Sequence, residues 1–172
     1  ASAGFDVTAI DASKSRLARL KENMARTGLS AAVVAADILK WQPPAPVDAI
    51  LLDAPCSATG IFRRHPEVLH RVRERAIAEL AEGQAKMLAR AADWLKPGGT
   101  LVYSVCSLEP EEGEEVVAAF LAARGDFQLS PVVPGELPAE VPTPSGCVRT
   151  LPGLWLEEGG ADGFFIARFT RS

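Results

Sequence analysis

The sequence predicts an α/β protein: a mostly parallel, doubly wound sheet with an antiparallel strand at its C-terminal end. Three observations carry that reading. Short apolar runs alternate with stretches of helical periodicity along the 172 residues, and the links between them are short. Successive apolar runs also end in an aspartate or a cysteine, as strands do where they open onto a ligand crevice. At 48% hydrophobic and 23% charged, the chain has enough apolar surface to bury a core, which excludes a disordered acidic tail or a histone-like protein. Its length fits a single domain over residues 1–172.

Residues 7–10 form a short apolar run closed by Asp11. Ser13 is placed to cap a helix whose Leu17, Leu20 and Met24 recur at helical spacing, with Gly28 just past its end. Residues 31–36 are a second strand leading to Asp37, and Pro43, Pro44 and Pro46 make a loop. A third strand, residues 47–52, runs into Asp53-Ala54-Pro55-Cys56. After a polar stretch, a helix is predicted from Arg75 to Leu95, with Ile77, Leu80, Gln84, Met87, Leu88, Ala91 and Leu95 on one face. Gly83 within it costs about 1 kcal/mol relative to alanine, so packing must hold that segment. Pro97-Gly98-Gly99 is read as the helix stop.

Residues 100–105 form a fourth strand ending at Cys106-Ser107. Pro110 then opens an acidic helix with Val116, Val117, Phe120 and Leu121 on its apolar side. Residues 131–144 hold five prolines and read as an irregular crossing loop. Residues 163–170 alternate as a final, antiparallel strand.

No apolar run approaches the roughly 18–20 residues of a membrane span, and the first residues lack the basic and apolar regions of a signal peptide. Cys56, Cys106 and Cys147 are too few and too far apart for a disulfide framework or a zinc site. The expectation is a cytoplasmic, reducing compartment with no membrane and no metal.

The strand ends hold the chemistry. Asp11, Asp37 and Asp53 are suited to ribose hydroxyls or an exocyclic amine. Each is also a residue type that begins a loop or caps a helix. Three in succession point to a nucleoside-bearing cofactor. Cys56 and Cys106 share one rim if their strands are neighbours, and two thiols there can divide addition and elimination steps. Cys147 reads as a small buried hydrophobe.

A net charge of −4 and a pI near 5.3 argue against a nucleic-acid partner when taken alone. Residues 61–75 reverse that locally. Arg63, Arg64, Arg71, Arg73 and Arg75 stand against Glu67 and Glu74, a net of +3 beside Cys56, with His65 and His70 among them. This is the composition of a phosphate-contacting flank. The acidic run Glu109, Glu111, Glu112, Glu114 and Glu115 reads as a solvated helix start that complements the helix dipole.

Asp53-Ala54-Pro55-Cys56-Ser57-Ala58-Thr59-Gly60, followed by Arg63-Arg64-His65-Pro66, resembles the fourth motif of the RNA cytosine-5 methyltransferases of the Sun/RsmB type. Leu101-Val102-Tyr103-Ser104-Val105-Cys106-Ser107 with Pro110-Glu111-Glu112 resembles their sixth, and Asp162-Gly163-Phe164-Phe165 their closing strand. The likeness covers essentially the whole chain, and the wording is most like the bacterial small-subunit ribosomal RNA enzymes.

The resemblance implies a Rossmann-like methyltransferase fold, S-adenosylmethionine as cofactor and RNA as partner. It implies Cys106 as the nucleophile on C6 of the target cytosine, Asp53 as the contact near N3, and Cys56 as the aid to final elimination. Asp11 would bind the cofactor's ribose and Asp37 its adenine, with Asp53 near its methionyl end. Arg63 and Arg64 would lie near RNA. DNA cytosine-5 methyltransferases use the Pro-Cys cysteine as nucleophile, which would promote Cys56; the sixth-motif match favours Cys106. The family's first strand and its glycine-rich turn are missing from this sequence, so the chain reads as the C-terminal part of a longer protein. Two other readings stand beside this one: a non-catalytic RNA-contacting module, and a Rossmann-like methyltransferase acting on DNA or a small molecule.

Overall fold

The computed structural model describes residues 3–133 and 135–172; Ala1, Ser2 and Pro134 of the proline-rich stretch lie outside the described residues. The chain divides into two compact units, one up to Pro44 and one from Ala45 onward.

The first unit is a βαβ element. Strand β1 (Thr8–Asp11) pairs in parallel with β2 (Ala32–Ala35), with Asp11 opposite Ala35. Parallel neighbours need a crossover, which helix α1 (Lys14–Thr27) supplies. Ser13 caps α1 by accepting from the Arg16 N–H, and Gly28 ends it at φ +68°, its N–H returning to the Met24 carbonyl. Both ends lie where the sequence places them. Leu17 is buried, while Leu20 and Met24 on the same stripe are half-buried.

The second unit is a five-stranded mixed sheet in the order β3-β4-β7-β5, with β6 also paired to β7. Strand β3 (Val47–Asp53) runs parallel to β4 (Leu95–Val105), joined through the short helix α2 (Val68–Arg71) and the long helix α3 (Glu74–Ala92). Helix α4 (Glu114–Ala123) follows a 3-10 turn at Pro110–Glu112. Strands β5 (Phe127–Leu129) and β6 (Val148–Thr150) flank β7 (Phe164–Arg171), which is antiparallel to β4, β5 and β6. The predicted α/β class and antiparallel last strand are both present. Among the described residues no helix is long and apolar enough to cross a membrane.

One boundary differs from the sequence reading. The predicted helix to Leu95 ends at Ala92, and Leu95 opens β4 instead. Pro97-Gly98-Gly99 therefore interrupts a strand rather than stopping a helix. Register jumps from Val47 opposite Leu95 to Ala49 opposite Thr100, so the extra residues of β4 bulge out. Gly98 takes φ +77°, and a Cβ on Gly99 would lie 2.8 Å from the Lys96 carbonyl oxygen.

The core lies on one face of the mixed sheet. Leu101, Tyr103 and Val105 of β4 and Phe165, Ala167 and Phe169 of β7 are fully buried, alternating in β7 with half-buried neighbours at the period of a strand. Leu88 and Ala91 of α3 and Val116, Val117 and Phe120 of α4 are also buried. Phe120 meets Phe127 and Phe169 edge-on, with ring centroids 5.3 and 5.0 Å apart. Such pairs add about 0.5–1.5 kcal/mol each beyond their burial. Cys147 is buried, and burial pushes its thiol up, in keeping with its expected apolar role.

A second close approach ties the loop after β3 to the start of β7. Gly163 N–H donates to the Gly60 carbonyl at 2.7 Å. A Cβ on Gly60 would sit 2.0 Å from the Gly163 carbonyl oxygen, a contact with rigid backbone that only displacement can relieve.

Phe169→Ala is expected to destabilise the chain by about 3–5 kcal/mol, read by urea unfolding, because it removes a fully buried ring that packs on Phe120. Gly60→Ala is expected to cost about 1–3 kcal/mol in the same assay, since an added methyl there overpacks a backbone contact. A Gly60→Ala protein as stable as the parent would show that the loop moves freely.

Candidate active site at the paired thiols

Parallel pairing brings the ends of β3 and β4 side by side. Asp53 is opposite Ser104, and the Ala54 N–H extends the ladder to the Ser104 carbonyl at 3.0 Å. Cys56 lies three residues past β3 and Cys106 immediately past β4. Their sulfurs are 3.4 Å apart, both half-buried and both free thiols.

That contact separates the two thiols electrically. The hydrogen bond with Cys56 pulls Cys106 down to about 7, against burial and the nearby Asp53 carboxylate, which push it up. The same hydrogen bond, with burial, pushes the Cys56 thiol far up. The contact thus favours the proton on Cys56 and the charge on Cys106, and the pair titrates as a unit. Among the described residues no donor reaches the Asp53 carboxylate, and its side chain is exposed.

The loops around the thiols are held by backbone and hydroxyl contacts. The Gly60 N–H donates to the Cys106 carbonyl at 3.0 Å, and the Leu108 N–H donates to Thr59 Oγ1 at 2.9 Å. Ala58, just before Thr59, takes φ +58°, an uncommon conformation for a residue with a Cβ. Arg149 of β6 donates to the Ser107 carbonyl at 3.0 Å while pairing with Glu114 and lying over the Phe165 ring.

Beneath the loops lies a polar cluster that the sequence reading missed. Gln84, Glu112 and Ser107 are fully buried. Gln84 lies on the inward stripe that the periodicity predicts for α3, but its Nε2 donates to the Pro55 carbonyl and to Glu112 Oε1, both at 2.9 Å. The Tyr103 hydroxyl donates to the Glu112 main-chain carbonyl at 2.6 Å. Burial and the Glu112 charge push the Tyr103 phenol far up. Glu112 was expected on a solvated helix start; its neighbours Glu111, Glu114 and Glu115 keep that character, whereas the 3-10 turn swings Glu112 inward. Within the acidic run, no sequence signal distinguishes it except its three-residue spacing after Glu109 in a turn opened by Pro110.

The predicted cofactor residues Asp11 and Asp37 lie in the first unit, at the carboxyl ends of the adjacent parallel strands β1 and β2. Asp11 Oδ1 accepts from the Ser13 N–H at 2.7 Å and from Arg16 at 2.9 Å. Burial pushes the Asp11 carboxyl up, but the Arg16 hydrogen bond, the Ser13 N–H and the Arg16 charge outweigh it and hold it below the usual carboxylate range. Asp37 accepts from the Leu39 N–H at 2.9 Å and closes a turn with its main-chain carbonyl.

Arg63 and Arg64 are exposed. Arg63 donates to the carbonyls of Gly159 and Ala161, at 3.0 and 3.3 Å, so its partners are neutral. Arg64 forms an ion pair with Asp162.

The sequence profile of the family described as 16S rRNA methyltransferase RsmB/F matches residues 2–170. Ribosomal RNA small subunit methyltransferase B of Klebsiella pneumoniae is 43% identical over 96% of the chain, and that of Salmonella arizonae is 43% identical over the same share. The chain spans 36% and 37% of the length of these two relatives. NSun6 from Pyrococcus horikoshii, solved with SFG, superposes with a TM-score of 0.80 at 31% identity, covering 96% of this chain and 41% of that one. The structure described as PH0851 superposes at 0.81 with 32% identity, covering 96% of this chain and 37% of that one. Paired strand-end cysteines, an α/β fold and a profile match over nearly every residue agree: the chain belongs to the RsmB/F family of 16S rRNA methyltransferases.

Proposed function

We propose that the chain is a catalytic domain that methylates C5 of a cytosine in small-subunit ribosomal RNA, working from the cytoplasm with S-adenosylmethionine as methyl donor. The observation that carries this reading is the 3.4 Å separation of the Cys56 and Cys106 sulfurs at the ends of adjacent parallel strands. The relatives are named as ribosomal RNA methyltransferases, which supports the choice of substrate.

Cys106 is the nucleophile. Its thiolate forms a bond to C6 of the cytosine, and the displaced electron pair makes C5 carbanion-like. Asp53, exposed beside it, contacts the ring near N3 and stabilises the adduct. S-adenosylmethionine supplies an electrophilic methyl group to C5 when bound. Once Cys106 is covalently engaged, the anion that pushed Cys56 up is gone. Cys56 then releases its proton to solvent, takes the C5 proton, and the C5–C6 double bond reforms as the Cys106 thiolate leaves.

The donor set of the first unit fits the nucleoside part of this cofactor. Asp11 and Asp37 place two carboxylates at neighbouring strand ends, Asp11 to accept from ribose hydroxyls and Asp37 from the adenine amine. Arg16 already occupies part of the Asp11 carboxylate, so a ribose must share it. Toward RNA, Arg63 retains its charge because its partners are carbonyls, whereas Asp162 neutralises Arg64. Arg63 therefore supplies the larger attraction to phosphate.

Cys56→Ala is expected to accumulate a denaturant-stable RNA adduct in the presence of cofactor, seen as a shifted band on a denaturing gel, and Cys106→Ala to form none. The reverse pattern would transfer the nucleophile to Cys56, and no adduct in either would leave a non-catalytic RNA-contacting module. In the absence of RNA, the pH midpoint for iodoacetamide alkylation of Cys106 is expected near 7. In Cys56→Ala, which removes the hydrogen bond that lowers it, the midpoint should rise toward the ordinary ~8.5.

A further inference from the structure

The Glu112 carboxylate touches neither sulfur, yet it holds the residue after each cysteine. Its Oε2 accepts from Ser57 Oγ at 2.5 Å and from Ser107 Oγ at 2.6 Å. Its Oε1 accepts from the Ser57 N–H and from Gln84 Nε2, both at 2.9 Å. Ser57 follows Cys56 and Ser107 follows Cys106. Gln84 extends the grip to the Pro55 carbonyl, one residue before Cys56. The Tyr103 hydroxyl holds the main chain of Glu112 itself from the fully buried face of β4.

We propose that Glu112 is a positioning residue that clamps the Cys56 and Cys106 loops to one another, so that the two sulfurs meet at hydrogen-bond distance. A carboxylate is planar and rigid, so donors sharing its oxygens are fixed relative to each other. Four neutral donors on a fully buried carboxylate also satisfy its lone pairs, which offsets the cost of burying the charge. The clamp has an electrostatic side effect of opposite sign, because the Glu112 charge pushes both thiols up. Geometry and charge can therefore be separated. A glutamine at this position keeps the shape: its carbonyl accepts from the Ser57 N–H and Gln84, and its NH2 donates to hydroxyls that turn to accept.

The inference rests on the assignment of Cys56 and Cys106 as the working thiols, and its test needs neither RNA nor cofactor. The pH midpoint of Cys106 alkylation by iodoacetamide is followed by mass spectrometry in the chain, in Glu112→Gln and in the double variant Ser57→Ala/Ser107→Ala. The midpoint is used rather than the rate because nucleophilicity falls as thiol pKa falls. The double serine variant removes both hydroxyl arms without emptying the carboxylate site, and circular dichroism checks that it remains folded. Its midpoint is expected to rise by about one unit or more, as the sulfurs separate and Cys106 loses its donor. Glu112→Gln is expected to hold the midpoint at or below its parental value, since the clamp survives and the opposing charge is lost. A folded serine variant with an unmoved midpoint, or a glutamine variant whose midpoint rises with it, overturns the clamp. Neither result depends on whether the thiols later methylate RNA, so failure of the methylation reading is visible separately in the adduct assay.

Discussion

The parallel register of β3 against β4 is the constraint on which the site depends. Neighbouring strands lie about 4.8 Å apart, so residues leaving them at the same level are forced into contact range. Pairing Asp53 with Ser104 brings the Cys56 and Cys106 loops out together. A slip of one residue would turn Leu101, Tyr103 and Val105 away from the core, and their full burial rules that out energetically. The bulge at Lys96–Gly99 absorbs the extra length of β4 before this register begins, so the irregular end of the strand stays away from the chemistry. Apolar packing thus fixes the strand register that brings the two cysteine loops to the same level.

Beneath the thiols, a polar cluster stands among otherwise apolar buried residues. Tyr103, Gln84, Ser107 and Glu112 would each be costly to bury alone; together they pair nearly every donor with an acceptor. Such networks tolerate few alternative arrangements, which is what a strand-end site requires. The surrounding loops are held by equally particular contacts, the Gly60–Gly163 approach and the Arg149 bridge among them. Arg63 and Arg64 add to this frame as well as to the basic rim, because both reach the loop before β7.

Local signals were legible in the sequence to the extent that their causes are local. The Ser13 cap, the Gly28 stop and the alternation in β7 depend on residues within a few positions, and each lies where the pattern places it. Strands β5 and β6 did not show, because three residues are too few to display a period and both exist only as partners of β7. Pro97-Gly98-Gly99 departs from its local expectation for a related reason. The same residues stop a helix or bulge a strand, and which one happens is decided by Val47 and Ala49 on the neighbouring chain segment.

Read alone, the sequence determined the fold class, the strand ends and the two cysteines, because hydrophobic period and residue type are properties of short stretches. Only the tertiary structure brings the two sulfurs together and decides which glutamate in an acidic run turns inward. The charge on a thiol is set by what stands within a few ångströms of it, and those neighbours come from 50 residues away. Glu112 has the same composition as its exposed neighbours; burial and four donors from distant elements make it different.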